Sequence, residues 1–171
     1  MAGKRFWIAN SPYNCIPTWR WQTDAAATII EKGMLLKATS NGSPYVTPCV
    51  TGDHTLQTDT AICGLAATDS THTATADGYI DVYMPLPGIV YRGYATTAAN
   101  VDTQAELDLL RGDRVVITVS ATTSAGDWSI DEDAGETQSN SFLLVDGDYQ
   151  KQTIDFTIRH AATMLGDDDI A

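Results

Sequence analysis

"DGYIDVYMPLPGIVYRGYA", residues 77–95, alternates on both sides of a proline-rich corner. Before the corner, Ile80, Val82 and Met84 point one way, while Tyr79, Asp81 and Tyr83 point the other. After it, Ile89, Tyr91 and Gly93 alternate with Val90, Arg92 and Tyr94. A period of two is the signature of sheet with one buried face. Pro85 and Pro87 each lack an N–H, so neither can sit inside a central ladder. Two strands joined by Pro85-Leu86-Pro87-Gly88 are therefore predicted. The corner is either a plain strand-to-strand link with Leu86 in its own core, or a rigid apolar surface made to lie against another subunit.

The rest of the chain agrees with sheet. "TIIEKGMLLKATSNGSPYVTPCV" predicts a strand near Met34–Ala38, a turn around Asn41-Gly42 and a partner strand from about Tyr45 to Val50. "TAICGLAATD" reads as another strand and "STHTATADG" as a polar loop. One short helix is predicted over 104–111, with Thr103 and Glu106 as a capping box, Ala105, Leu107 and Leu110 on its apolar face, and Gly112 as its stop. "DRVVITVSA" returns to sheet, with "GDWSID" as a hairpin partner. "SFLLV" and "TIDFTIR" close the chain around a turn at Asp146-Gly147. The sequence shows no convincing internal repeat. The predicted fold is mainly β: a single β-barrel or β-sandwich domain over 29–166, an aromatic, proline-rich N-terminal arm over 1–28, and an acidic tail over 167–171.

Residues 1–28 hold three of the four tryptophans. Phe6, Trp7, Tyr13, Trp19 and Trp21 crowd there, and Pro12 and Pro17 break regular structure. Either this segment covers the end of a barrel, or it is an extended arm that anchors on a neighbouring subunit, since Trp and Tyr are the residues that anchor interfaces. On the arm reading, deleting residues 1–24 leaves a folded domain.

The chain has 171 residues and a formal net charge of −12. At this length a core forms without metals or disulfides. So acidic a protein gains nothing from counterion release on a nucleic-acid backbone and is repelled by acidic membrane surfaces. Cys15, Cys49 and Cys63 are odd in number and contain no C-x-x-C pair, which argues against a disulfide framework or a zinc ribbon. Cys63 reads as a small buried hydrophobe. The N-terminus lacks an apolar core of secretory length, and no run approaches a membrane span, so folding in the cytoplasm of the producing cell is expected.

Motifs that carry chemistry are missing. His54, His72 and His160 have no metal-ligand spacing, and His72 reads as exposed in a polar loop. Cys49 and His54 are near in sequence, which says nothing about geometry. Asp131, Glu132, Asp133 and Glu136 lack the ligand ladder of a calcium loop and read as a solvated face. Arg111-Gly112-Asp113 spells an integrin tripeptide and Asn41-Gly42-Ser43 a glycosylation sequon; both read as coincidences. No enzyme, metal or cofactor is expected.

The runs Lys32–Val50, Ala61–Asp69 and Asp77–Ala95 together resemble the decoration, or cement, proteins of tailed bacteriophage capsids. Gly42, Pro44 and Val46 match a Gly-x-Pro-x-Val element of that family, and Ile62, Gly64 and Ala66 match its following strand. Gly112 and Asp113 match a later Gly-Asp corner, so the likeness spans roughly residues 30–165. The resemblance implies a β-barrel or β-sandwich virion protein on the outer surface of an icosahedral capsid. There it would sit as homotrimers and clamp neighbouring subunits of the major capsid protein. Phe6, Trp7, Tyr13, Trp19, Trp21, Pro85, Leu86 and Pro87 are the expected interface residues. The alternative is a receptor- or carbohydrate-binding β domain of a head fibre, with Tyr79, Tyr83 or Trp128 stacking on sugars.

Overall fold

The computed structural model describes residues 3–25, 27, 29–40, 43–51, 61–120, 126–133, 141–159 and 163. The expected turn at Asn41-Gly42, His54, His160, Glu136 and the tail over 167–171 lie outside them. The fold is mainly β, with strands β1 (Trp7–Asn10), β2 (Thr18–Thr23), β3 (Leu35–Ala38), β4 (Val46–Pro48), β5 (Ile62–Ala66), β6 (Gly78–Tyr83), β7 (Val90–Ala95), β8 (Arg114–Val119), β9 (Trp128–Asp131), β10 (Phe142–Asp148) and β11 (Thr153–Ile158). One helix, α1 (Gln104–Leu110), interrupts them. Both halves of its capping box form: Thr103 Oγ1 accepts from the Glu106 N–H, and Glu106 accepts from the Thr103 N–H. Leu107 is buried, but Ala105 is exposed, so the apolar face is narrower than the sequence predicts.

The strands form two sheets. One runs β2-β6-β5-β3-β4, and the other runs β1-β7-β11-β10-β8-β9 with β9 also pairing β7. The second sheet is thus a closed five-stranded barrel, β7 to β11, with β1 added outside. The first is closed by one parallel bridge, Gln22 to Tyr45, in which the Gln22 N–H donates to the Pro44 carbonyl at 3.0 Å. Buried residues of both barrels join in one continuous hydrophobic core.

These two barrels have the same topology. Taking β2 through β6 as β7 through β11 turns the first strand order into the second, including the parallel closure. The registers match as well. Arg20 stands opposite Asp81, and Arg92 stands opposite Asp155. The Gly33 N–H donates to the Ala66 carbonyl and the Ala66 N–H to the Met34 carbonyl; Gly112, Leu144 and Asp113 repeat that pair of bonds. Gly33 and Gly112 both have left-handed backbone, with φ 87° and 95°. The internal repeat not visible in the sequence is therefore present in the fold. Few side chains survive it, and connections of unequal length hide the spacing.

The opening corner passes the chain from one barrel to the other. Pro85 is buried where β6 ends, and Leu86 packs against the core. The Leu86 N–H donates to the Met84 carbonyl at 2.8 Å, and Gly88 takes φ 84° to turn the chain into β7. The plain-link reading describes Pro85 and Leu86; Pro87 and Gly88 are exposed.

Three sequence expectations need correction. Residues 6–23 are not a projecting arm, because β1 pairs with β7 and β2 with β6 along its whole length, and Phe6 is buried inside this chain. Deleting residues 1–24 would remove a strand from each sheet. The last hairpin does not turn at Asp146-Gly147: β10 runs through both after an irregularity between Leu144 and Asp146, and the turn lies at residues 149–152. His72 is buried, with Nε2 3.0 Å from the Ala27 carbonyl oxygen, because its loop folds back over β6.

Candidate functional site

Phe6 is only 2% exposed and does not belong to the surface. Its ring meets Trp128 and Phe156 edge-on, at centroid distances of 6.0 and 5.3 Å, and lies over Gly93, where any Cβ would collide with it. Around it, residues 4–6 tie the barrels together. The Phe6 N–H donates to the Gly33 carbonyl at 3.1 Å and Arg5 pairs with Glu31 at 2.9 Å, both in the first half. The Trp128 N–H donates to the Lys4 carbonyl at 3.2 Å, and the Lys4 N–H to Asp127 Oδ1 at 2.7 Å, both in the second.

Apart from Trp7, the other expected interface residues fall into two groups. Trp7, 39% exposed, lies edge-on to Tyr94 with centroids 5.8 Å apart. Tyr13 reaches the corner, its hydroxyl donating to the Pro87 carbonyl at 3.0 Å, and Pro12 lies against Gly88. Beside the corner, Pro85, Pro87 and Gly88 line a cleft of about 420 Å³ with Leu143, Ile158 and Arg159. Trp19 and Trp21 form the second group on β2, half-buried, with ring centroids 6.4 Å apart. With Arg20, Gln22, Pro44 and Tyr79 they line a cleft of about 460 Å³.

Sequence reasoning missed Arg20 and Pro44 as members of this second cleft. An arginine and an aspartate facing each other across strands leave a signal only once the register is known. Arg20 Nε and Nη2 donate to Asp81 Oδ1 and Oδ2 at 3.0 and 3.3 Å. That guanidinium holds the Asp81 carboxyl below the usual range. Of the residues expected to stack on sugars, Tyr79 is 52% exposed and Tyr83 half-buried. Trp128 is fully buried beneath Phe6 and offers no platform.

The groups considered for chemistry do not converge. Cys49 and Cys63 are buried, and burial pushes the Cys63 thiol up to about 12, away from the reactive thiolate. Glu132 is not a solvated loop residue. Its carboxylate accepts from the Thr96 and Thr97 N–H groups at 3.2 and 2.9 Å and from Asn100 Nδ2, pinning the end of β9 to the chain after β7. Burial raises its pKa against those bonds. Among the described residues no group of three His, Cys, Asp or Glu side chains is placed to hold a metal. Among them, no helix is long and apolar enough to cross a membrane.

Fold and surface together define a tandem-barrel β protein with two separate aromatic faces. Neither a family model, nor a curated protein, nor a solved structure matches the chain.

Proposed function

We infer that this protein is a structural virion component that binds the outer surface of an icosahedral phage capsid and stabilises it by clamping neighbouring subunits of the major capsid protein, as a homotrimer. The observation that carries the reading is the pair of aromatic faces on one body: the cleft at Trp19, Trp21 and Tyr79, and the corner at Tyr13 and Pro87. A clamp must hold two partners at a fixed separation, and two modest contacts on one rigid body multiply into avidity. The resemblance to cement proteins supports it, since the matched runs supply β3 to β7 of this fold. A charge of −12 keeps such a protein off nucleic acid.

The copy number of the chain in purified virions tests the reading. Copies comparable to the major capsid protein are expected. A few tens per particle would place it at vertices or fibres instead, and absence from particles would overturn the reading. A receptor- or carbohydrate-binding head-fibre domain is the second reading, favoured by the exposed Tyr79 ring beside the tryptophan cleft. Specific binding on a glycan array would select it.

A further inference from the structure

The repeat exposes an edge of β2 that no described residue covers. In an antiparallel strand, alternate residues turn both backbone groups to the same neighbour. On β7, the Ala95 N–H faces β11 through Gln152, while Val90 and Arg92 face the other way, where β1 covers them. On β2, the Pro17 carbonyl faces β6 through Met84, and the Gln22 N–H faces β4 through Pro44. Thr18 and Arg20 share the parity of Gln22, so their N–H and C=O groups point to the edge that β1 occupies in the other barrel. No described residue pairs with them there.

Side chains show the same contrast. Trp19 and Trp21 stand opposite Val82 and Ile80 and face inward with them, yet both remain half-buried. Their counterparts in the second barrel are Tyr91, 1% exposed, and Gly93, sealed by Phe6.

We propose that the free edge of β2 is an acceptor for an extended segment of a partner protein, which adds antiparallel to Thr18–Arg20 and lays an aromatic or aliphatic side chain on Trp19 and Trp21. Strand addition of this kind takes affinity from the backbone and specificity from alternate side chains. The partner's chemistry follows from the segment that fills the equivalent place, Lys4-Arg5-Phe6-Trp7-Ile8, which is basic and then aromatic. A basic partner also suits a protein of charge −12, whereas two copies of this chain repel each other. The copy's own β1 is already held in its second barrel. Pro44 stands where Trp128 donates to Lys4, so the acceptor edge begins at Arg20 and is short. The inference rests on the repeat alone and survives if the capsid reading fails.

The probe is an acetylated peptide with the sequence of residues 4–10, titrated into the full chain and followed by calorimetry and amide exchange. Saturable binding is expected, with exchange at the Thr18 and Arg20 amides slowed at least tenfold. Arg20→Pro, which deletes an edge donor together with the guanidinium paired to Asp81, is expected to weaken binding at least tenfold, whereas Arg20→Ala, which loses only the guanidinium, should leave it unchanged. Trp19→Ser, which leaves the backbone intact, should weaken it as much as Arg20→Pro through the lost platform. No binding, or protection confined to Val90 and Arg92 by exchange with β1, would overturn the proposal. So would equal binding of a peptide with glutamates in place of its lysine and arginine. Protection of Thr18 and Arg20 that rises with protein concentration alone would name a second copy as the occupant and equally overturn it.

Discussion

The two barrels share one strand order and one register, but among the described residues only the second has its edge strand covered. β1 lies along β7, Phe6 seals Gly93, and Tyr91 becomes a core residue. On β2 nothing described plays that part, and two tryptophans remain at the surface. The repeated ion pair reports the same contrast. Arg92 Nη2 donates to Asp155 Oδ2 at 2.7 Å, and the side chains are 25% and 12% exposed. Arg20, in the equivalent pair with Asp81, is 69% exposed. One topology thus yields a stabilising half and a half with an open edge, and an added strand of a few residues makes the difference.

The sharpest way to break this comparison is to remove the plug. Phe6→Ala should cost about 3–5 kcal/mol in urea unfolding, the usual loss for a buried aromatic. Trp21→Ala, at the matching but half-exposed place, should cost clearly less; equal losses would mean that both edges are sealed alike. The ion pairs give the next contrast. Asp155→Ala strands a mostly buried guanidinium and should cost about 3 kcal/mol. Asp81→Ala should shift the urea midpoint only slightly, since exposed pairs contribute little.

The paired glycines come third. At Gly112 an added Cβ meets nothing, so Gly112→Ala should cost only the left-handed strain of about 1–2 kcal/mol. At Gly33 the same Cβ would stand 2.7 Å from the Phe6 carbonyl oxygen, so Gly33→Ala should cost more by displacing β1. Thr103→Ala, which uncaps the helix found in the second half, should cost about 1 kcal/mol by thermal or urea unfolding.

The smallest expected effect is on pH dependence. Burial raises the Glu132 carboxyl, so the folded state keeps that proton to higher pH than the unfolded chain. Its contribution is therefore full below the ordinary glutamate value of about 4.3 and declines as pH rises through the raised one. Asp81 has the opposite sign: its lowered pKa contributes stability above the ordinary aspartate value, lost as pH falls through the folded one. Glu132→Gln should remove the decline above the ordinary glutamate value, seen as a flatter urea midpoint against pH; an unchanged slope would place the titration elsewhere.

Much of the fold was legible because it rests on alternation. The burial of Ile80 and Val82 and of Tyr91 and Gly93 follows the period of two, and Thr103 with Glu106 marked the helix start. The duplication was not legible. Of the residues facing each other at equivalent places, Arg20 with Asp81 and Arg92 with Asp155 recur, but Trp21 has become glycine and Pro44 tryptophan. An aromatic segment likewise reads the same whether it projects or folds back. Only pairing partners separate Phe6, a core residue, from Trp19 and Trp21, which hold the candidate site. The bulge in β10 masked the true hairpin turn, because Asp-Gly is a strong turn signal that an irregular strand also accepts.

The most direct test of the open edge is backbone amide exchange on the free full-length protein, compared at equivalent residues. The Val90 and Arg92 amides, covered by β1, should be protected, while those of Thr18 and Arg20 exchange at least a hundredfold faster. Equal protection at all four would contradict the account, for it would mean that the first barrel's edge is already covered.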